Sequence, residues 1–202
     1  MSGEILRSFA TPNAYPQGSG LAGNYLYTTS YLPPVIYQHD RKGNVLRSFT
    51  PPSESPEGIT SDGKHIWHCD DYTELIYQMD VKGKVLKSLV RPVIWFASVA
   101  FDGKHLWHDD VWTGSIMYQI DRKGNTLKSY LIPGIQSLGF GFDGKNFIVM
   151  DNSYSIVYLI DRKGIKLKSF PIAVTYSWLV CYDGKYLYAI DHFSNRVCQI
   201  AM

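Results

Sequence analysis

Apolar, aromatic and β-branched residues in this chain come in short runs that alternate with polar positions, and small polar turns separate the runs. The stretch after Pro56-Glu57 shows the pattern best. Runs cover Gly58 to Ser61, His65 to Asp70, Leu75 to Asp80 and Lys84 to Leu89, and the first two are joined by Asp62-Gly63-Lys64. The last two share the turn Asp80-Val81-Lys82-Gly83. Gly accepts positive φ and Asp bonds its own following backbone, so both turns reverse the chain tightly. The pattern predicts four antiparallel strands, a to d.

The unit recurs. Asp-Gly-Lys begins at Asp62, Asp102, Asp143 and Asp183, with spacings of 40, 41 and 40. Asp-x-Lys-Gly begins at Asp40, Asp80, Asp121 and Asp161, and a basic-Ser-aromatic or basic-Ser-Leu signal begins at Arg7, Arg47, Lys87, Lys128 and Lys168. Four antiparallel strands per 40 residues make a propeller blade. Gly3 to Phe9 matches Gly43 to Phe49, so the chain opens on a strand d with no preceding a, b or c. The last unit stops at Val197-Cys198-Gln199-Ile200, a strand c. The expected fold is therefore all-β: a closed five-bladed β-propeller over residues 1–202, one domain, with one blade completed by both termini and residues 3–9 as its strand d. A β-sandwich has no need of identical turns at fixed spacing.

Composition agrees with a strand-rich core, since 45% of residues are hydrophobic and 15 Tyr, 9 Phe and 5 Trp supply bulky side chains. The formal charge of +2 is too small for net attraction to nucleic acid or an anionic membrane, so neither is expected as a partner and any charge argument rests on distribution. Cys69, Cys181 and Cys198 lack the spacing of a zinc site or a disulfide framework and read as buried or free thiols. No apolar run is long enough to span a bilayer, and Met1 to Phe9 lacks a signal peptide's apolar stretch. A soluble, cytoplasmic monomer is the expectation, or a propeller excised from a longer chain.

In such a blade the a-b and c-d turns lie on one face of the disc, and the b-c and d-a connections lie on the other. The first face is short, regular and mildly basic, which reads as turn formation and solubility. The second varies from unit to unit, as binding loops do. There Tyr15, Glu57, Tyr72, Trp95, Trp112, Gln136, Tyr176, Trp178 and His192 are the candidate ligand-binding residues. Acids outnumber bases on it, so an acidic, aromatic-rimmed bowl for a small polar or amine-bearing molecule or a peptide is expected. Asp70, Asp110, Asp151 and Asp191 recur eight residues after each turn Asp, with Ser30 in the first unit. That regularity reads as corner geometry, with a ring of carboxylates around a divalent cation in the channel as the alternative. His68 and His108 are equivalent, while Thr28, Val149 and Ala189 stand elsewhere in that column. They read either as stacked interblade histidines or, with Asp70 and Asp110, as a metal or acid-base cluster.

The segment Pro56-Glu57-Gly58-Ile59-Thr60-Ser61-Asp62-Gly63-Lys64-His65-Ile66-Trp67 resembles NHL and YVTN-type propeller repeats over the whole chain. Ser137 to Lys145 with Met150-Asp151-Asn152-Ser153, and Glu57-Gly58-Ile59-Thr60, also resemble strand a-b segments of plant-type glutaminyl cyclotransferases. The first segment departs from that pattern, because Gln136 stands near the place of the expected acid. The resemblance implies an acid role for Glu57 alone. Three functional classes follow: a ligand-binding module; a lyase, hydrolase or cyclotransferase using His68 or His108 with Glu57 or Asp110 and no certain cofactor; and an interaction scaffold.

Overall fold

The computed structural model describes residues 3–90, 98–110, 115–132, 137–174, 176–177 and 179–202. Twenty strands form five antiparallel four-stranded sheets, and no helix occurs among the described residues. Strand β1 (Ile5–Ala10) comes first. Blade one then contains β2 (Pro16–Ala22), β3 (Tyr25–Tyr31), β4 (Pro34–His39) and β5 (Val45–Phe49). Blade two contains β6 (Pro56–Ser61), β7 (Ile66–Asp70), β8 (Leu75–Met79) and β9 (Val85–Val90). Blade three contains β10 (Val99–Phe101), β11 (Leu106–Asp110), β12 (Ile116–Ile120) and β13 (Thr126–Leu131). Blade four contains β14 (Ser137–Phe142), β15 (Phe147–Asp151), β16 (Ile156–Ile160) and β17 (Lys166–Pro171). Blade five is β18 (Val180–Tyr182), β19 (Tyr186–Asp191) and β20 (Arg196–Ala201), and β1 pairs antiparallel with β20 to complete it. Its register sets Phe9 against Val197 and Ile5 against Ile200. Strands β2, β6, β10, β14 and β18 form the inner ring.

Alternation along strand b sends successive side chains to opposite neighbours, and the core consists of interblade layers. Trp67 and Cys69 of blade two pack with Val99 and Leu106 of blade three. Trp107 of blade three packs with Phe147 and Val149 of blade four, its ring centroid 4.7 Å from that of Phe147. Ile66, on the other face of β7, meets Tyr27 and Ile36 of blade one. No helix among the described residues is long and apolar enough to cross a membrane.

The repeated turn residues join the blades as well as turning the chain. Asp62 Oδ1 accepts the N–H groups of Lys64 and His65, closing its own turn. Its Oδ2 accepts the Trp67 indole N–H at 3.1 Å and pairs at 3.0 Å with Arg122, from the c-d turn of the next blade. The same set recurs with Asp102, Trp107 and Arg162 at 2.9 Å, and with Asp183, Tyr188 and Arg41 at 3.6 Å. Blade one has Ala22 where the others have Asp, and its neighbour has Val81 where the others have Arg. Charge and counter-charge are absent together at that joint.

The basic-Ser-aromatic signal has the matching task. Arg47 and Lys87 each donate to a c-d turn carbonyl of the following blade, at Val81 and Arg122, and Arg7 does the same to Arg41. The Phe9 and Phe49 rings cover Gly43 and Gly83 of the next blade, where a Cβ would lie 2.3 and 2.4 Å from the ring. Both glycines have φ above +90°, so this position serves turn and packing at once.

Burial alone would raise the Asp62 carboxyl. The backbone N–H of His65, the Trp67 indole, the Lys64 N–H and the His65 ring instead hold it down, to about 2. Asp102 is lowered against burial by the same kinds of donors and by Arg162. A carboxyl lowered on folding stabilises the fold above its unfolded pKa of about 4, and that contribution is lost as pH falls through the folded value. Acid unfolding is therefore expected to steepen below about pH 4. In urea titrations at neutral pH, Asp102→Ala is expected to cost about 2–4 kcal/mol, because it orphans the Trp107 indole and removes the Arg162 pair.

Candidate functional site

Glu57 lies near the start of β6, on the b-c/d-a side of the disc, and is 8% exposed. Its backbone is fixed by blade one. Thr29 Oγ1 accepts the Gly18 N–H at 2.6 Å and donates to the Glu57 carbonyl at 3.0 Å. A Cβ on Gly18 would come 2.2 Å from the Glu57 carbonyl oxygen, and one on Gly20 would come 1.7 Å from that of Ile59. The Gly18-Ser19-Gly20 segment thus lets the inner strands of blades one and two approach backbone to backbone.

Burial raises the Glu57 carboxyl well above its ordinary value, and the charges of Asp71, Asp70 and Asp109 push it the same way. Its Oε2 completes no hydrogen bond among the described residues. Gln17, the equivalent residue in blade one, likewise has a buried Oε1 without a partner among them. His68 is fully buried, paired across the sheet with Ile59 and Tyr77, and stacked on the Tyr77 ring at 6.4 Å. Neither of its ring nitrogens completes a hydrogen bond among the described residues. Burial outweighs the nearby Asp70 charge and the Gly58 carbonyl and holds His68 down, at about 4, so the ring is neutral at physiological pH.

Asp71, Asp70 and Asp109 all act on the Glu57 carboxyl through their charge, and Asp70 acts likewise on His68. Asp109 is wholly buried and accepts the Ser98 N–H at 3.1 Å. The signal for it was present in sequence, since its column otherwise reads Thr29, Cys69, Met150 and Ile190. A buried carboxylate among such residues is costly unless bonded, which makes the break informative. Thr29 and Gln17 also went unselected, because their roles depend on which strand lies beside them.

His108 sits one blade further round, buried and stacked on Tyr118 at 5.1 Å, with Nδ1 3.3 Å from the Asp109 carbonyl oxygen. The two histidines therefore occupy successive interblade layers, each stacked on its own strand c tyrosine. No group of three or more His, Cys, Asp or Glu able to hold a metal ion occurs among the described residues. The repeated corner carboxylates are tied to backbone. Asp70 accepts from Thr73 N–H and Oγ1, both at 2.9 Å, and from Ser55 N–H at 3.2 Å. Asp151 and Asp191 accept from Ser153 and Phe193, each at 3.0 Å. Ser30 makes the corner of blade one by donating to the Ala14 carbonyl, and Asp110 is buried at the corner of blade three.

Around this floor stand exposed aromatic rings. Tyr72 and Phe193 are each 75% exposed, and Tyr176 meets Phe193 at 5.6 Å. Tyr15 and Tyr176, equivalent residues of different blades, both adopt positive φ, 63° and 61°, while their rings remain exposed. That conformation costs a bulky residue about 1 kcal/mol or more, yet ring burial does not account for it. His192 is partly buried, and burial outweighs Asp191 to lower it to about 4. The remaining expected binding residues, Trp95, Trp112, Gln136 and Trp178, lie outside the described residues.

A cavity of about 150 Å3 occupies the other end of the inner ring, lined by residues including Ser19, Thr60, Ser61, Phe142 and Cys181. Burial raises the Cys181 thiol to about 12, and the lining contains no acid, base or histidine. None of the three cysteines is in a disulfide, and all three are buried.

The five four-stranded sheets define a five-bladed β-propeller. The chain is similar to Myxococcus xanthus glutaminyl cyclase, with a TM-score of 0.80, 11% identity, and coverage of 97% of this chain and 94% of that one. Staphylococcus aureus virginiamycin B lyase follows at a TM-score of 0.62 and 15% identity, covering 96% and 83%. Hydrazine synthase of Kuenenia stuttgartiensis also has a TM-score of 0.62, with 16% identity, covering 93% and 83%. At these identities the likeness establishes the fold. No family model matches the chain, and no curated protein matches it in sequence.

Because folding raises the Glu57 pKa, ionising Glu57 penalises the native state as pH rises above the unfolded value near 4.5. Relative to wild type, Glu57→Gln is expected to gain stability steadily with pH from that point, as read from paired denaturation curves. A constant difference across pH contradicts a buried, protonated Glu57.

Proposed function

We propose that the protein binds a small amine-bearing molecule, or the amino end of a peptide, at the seam between blades one and two. The observation that carries this reading is the buried Glu57 carboxyl, whose Oε2 completes no hydrogen bond among the described residues and which lies in the field of Asp71, Asp70 and Asp109, with the neutral His68 on the neighbouring strand. Buried polar atoms without partners are rare in folded proteins and mark places where a ligand or water completes the bonding. The neighbouring aspartates put negative charge around Glu57, and a cationic donor brought against it favours its ionised, accepting form, so the complementary ligand is a cationic donor. The exposed rings of Tyr15, Tyr72, Tyr176 and Phe193 supply cation-π and stacking surface for the rest of it.

A second reading adds turnover at the same place. A protonated Glu57 is equipped to lend and recover a proton next to an amide and an amine. The similarity to a glutaminyl cyclase directs that reading to an amino-terminal glutaminyl peptide, which would close on itself with release of ammonia. His68 is then the neutral base partner, while Asp70 and Asp109 are positioning residues.

Calorimetric titration with glutaminyl peptides and simple alkylamines tests both. Binding is expected for amines but not for their neutral acetylated forms, and Glu57→Gln is expected to weaken it at least about tenfold, the loss of one charge-assisted contact. Equal binding of acetylated forms removes the reading. Mass spectrometry of the same peptides separates binding from turnover, through the loss of one ammonia per cyclised peptide.

A further inference from the structure

The net charge of +2 conceals a strong sorting of charge by the fold. Eighteen of the twenty Lys and Arg stand in the a-b turns, the c-d turns or the strands d that follow them, against nine of the eighteen acids. That side of the disc is thus formally +9, while the opposite side carries the remaining nine acids with Arg91 and Arg196. The difference in exposure is larger still. Lys42, Lys64, Lys82, Lys104, Lys123, Lys145, Lys163 and Lys185 are all exposed at the turn tips. Every turn Asp beside them is buried or half-buried, with one oxygen accepting backbone N–H groups of its own turn, while Asp62, Asp102 and Asp183 also pair with an Arg of the next blade. Interblade joining uses the Asp and Arg of these turns and leaves the lysines projecting.

We infer that this face docks on a bilayer surface rich in anionic lipid headgroups. Its a-b and c-d turns are of nearly equal length, so the lysines are spread around the ring rather than aligned along one groove that would follow a duplex. Exposed apolar side chains lie among the lysines: Tyr25, Val45, Val81, Val85 and Ile165 are between 41% and 57% exposed. Val81 occupies the turn position that is Arg in three other blades. Lysines interspersed with a tyrosine and aliphatic groups match the headgroup zone, where charge attracts and apolar tips insert between lipids. A second copy of the chain is a poorer complement, because Asp70, Asp109, Asp110 and Asp151 on the opposite face are buried. Docked this way, the protein presents the acidic, aromatic face outward, away from the membrane.

Co-sedimentation with vesicles tests the inference. The full chain is expected to pellet with phosphatidylcholine vesicles containing phosphatidylserine at low ionic strength, to be released by high salt, and to stay in solution with phosphatidylcholine alone. Reversing Lys42, Lys82, Lys123 and Lys163 to Glu is expected to weaken association by more than about tenfold, since each base near an anionic surface contributes measurably. Replacing the same four by Gln, with an unchanged melting temperature, is expected to weaken it less and serves if the reversed protein does not fold. Glu54→Lys with Glu74→Lys, on the opposite face, is expected to leave it intact. Four results overturn the inference: no association with either vesicle; equal association with both; preferential capture by short duplex DNA in competition; and salt-sensitive self-association without lipid.

Discussion

Everything in this structure depends on how one blade is joined to the next. A single four-stranded sheet of this size has two apolar faces and cannot cover either by itself, so each blade is stable only as a layer between two others. The shared carboxylate is the clearest expression of that constraint. Asp62, Asp102 and Asp183 each close their own turn, fix an aromatic side chain of their own blade, and hold an Arg from the following one. One short motif therefore sets local backbone, core side chain and interblade angle. Its survival in copies with few other identities in common is understandable on those grounds.

The inner ring gives the site its location. Where blade one brings two glycines against β6, the ring tightens, and Glu57 is held by its carbonyl rather than by its carboxyl. The Glu57 Oε2 completes no hydrogen bond among the described residues, while the carbonyl of the same residue accepts from Thr29. Such a division allows an acid to be kept in a costly environment without loosening the strand that carries it. The same seam lacks the Arg–Asp joint, having Ala22 and Val81 instead, so close backbone approach stands where a charge pair joins other blades.

Much of this was legible in the sequence. The turn spacings fixed strand number, blade number and closure, and the match of Gly3–Phe9 to Gly43–Phe49 located the shared blade. Less legible were contacts made across blades. Thr29 reads as an ordinary strand residue until β6 is placed beside it, and Asp109 reads as one more loop acid until its burial is seen. Repetition shows which residues each blade shares, but the partner across a seam is set by three-dimensional order. The equivalence of His68 and His108 was visible, whereas their assignment to successive layers follows only from the alternation of strand b.

The pairing of β1 with β20 has a consequence for vectorial synthesis. Ile5–Ala10 is made before blades one to four, yet the strand it pairs with, Arg196–Ala201, is made after them. During elongation it is an open edge carrying Phe9, whose place over Gly43 is available early but whose ladder is not. The ring can accumulate blades one to four in order and still lack its closure until both ends meet. The closing β1–β20 pair is therefore a contact of very large sequence separation, the kind that forms slowly.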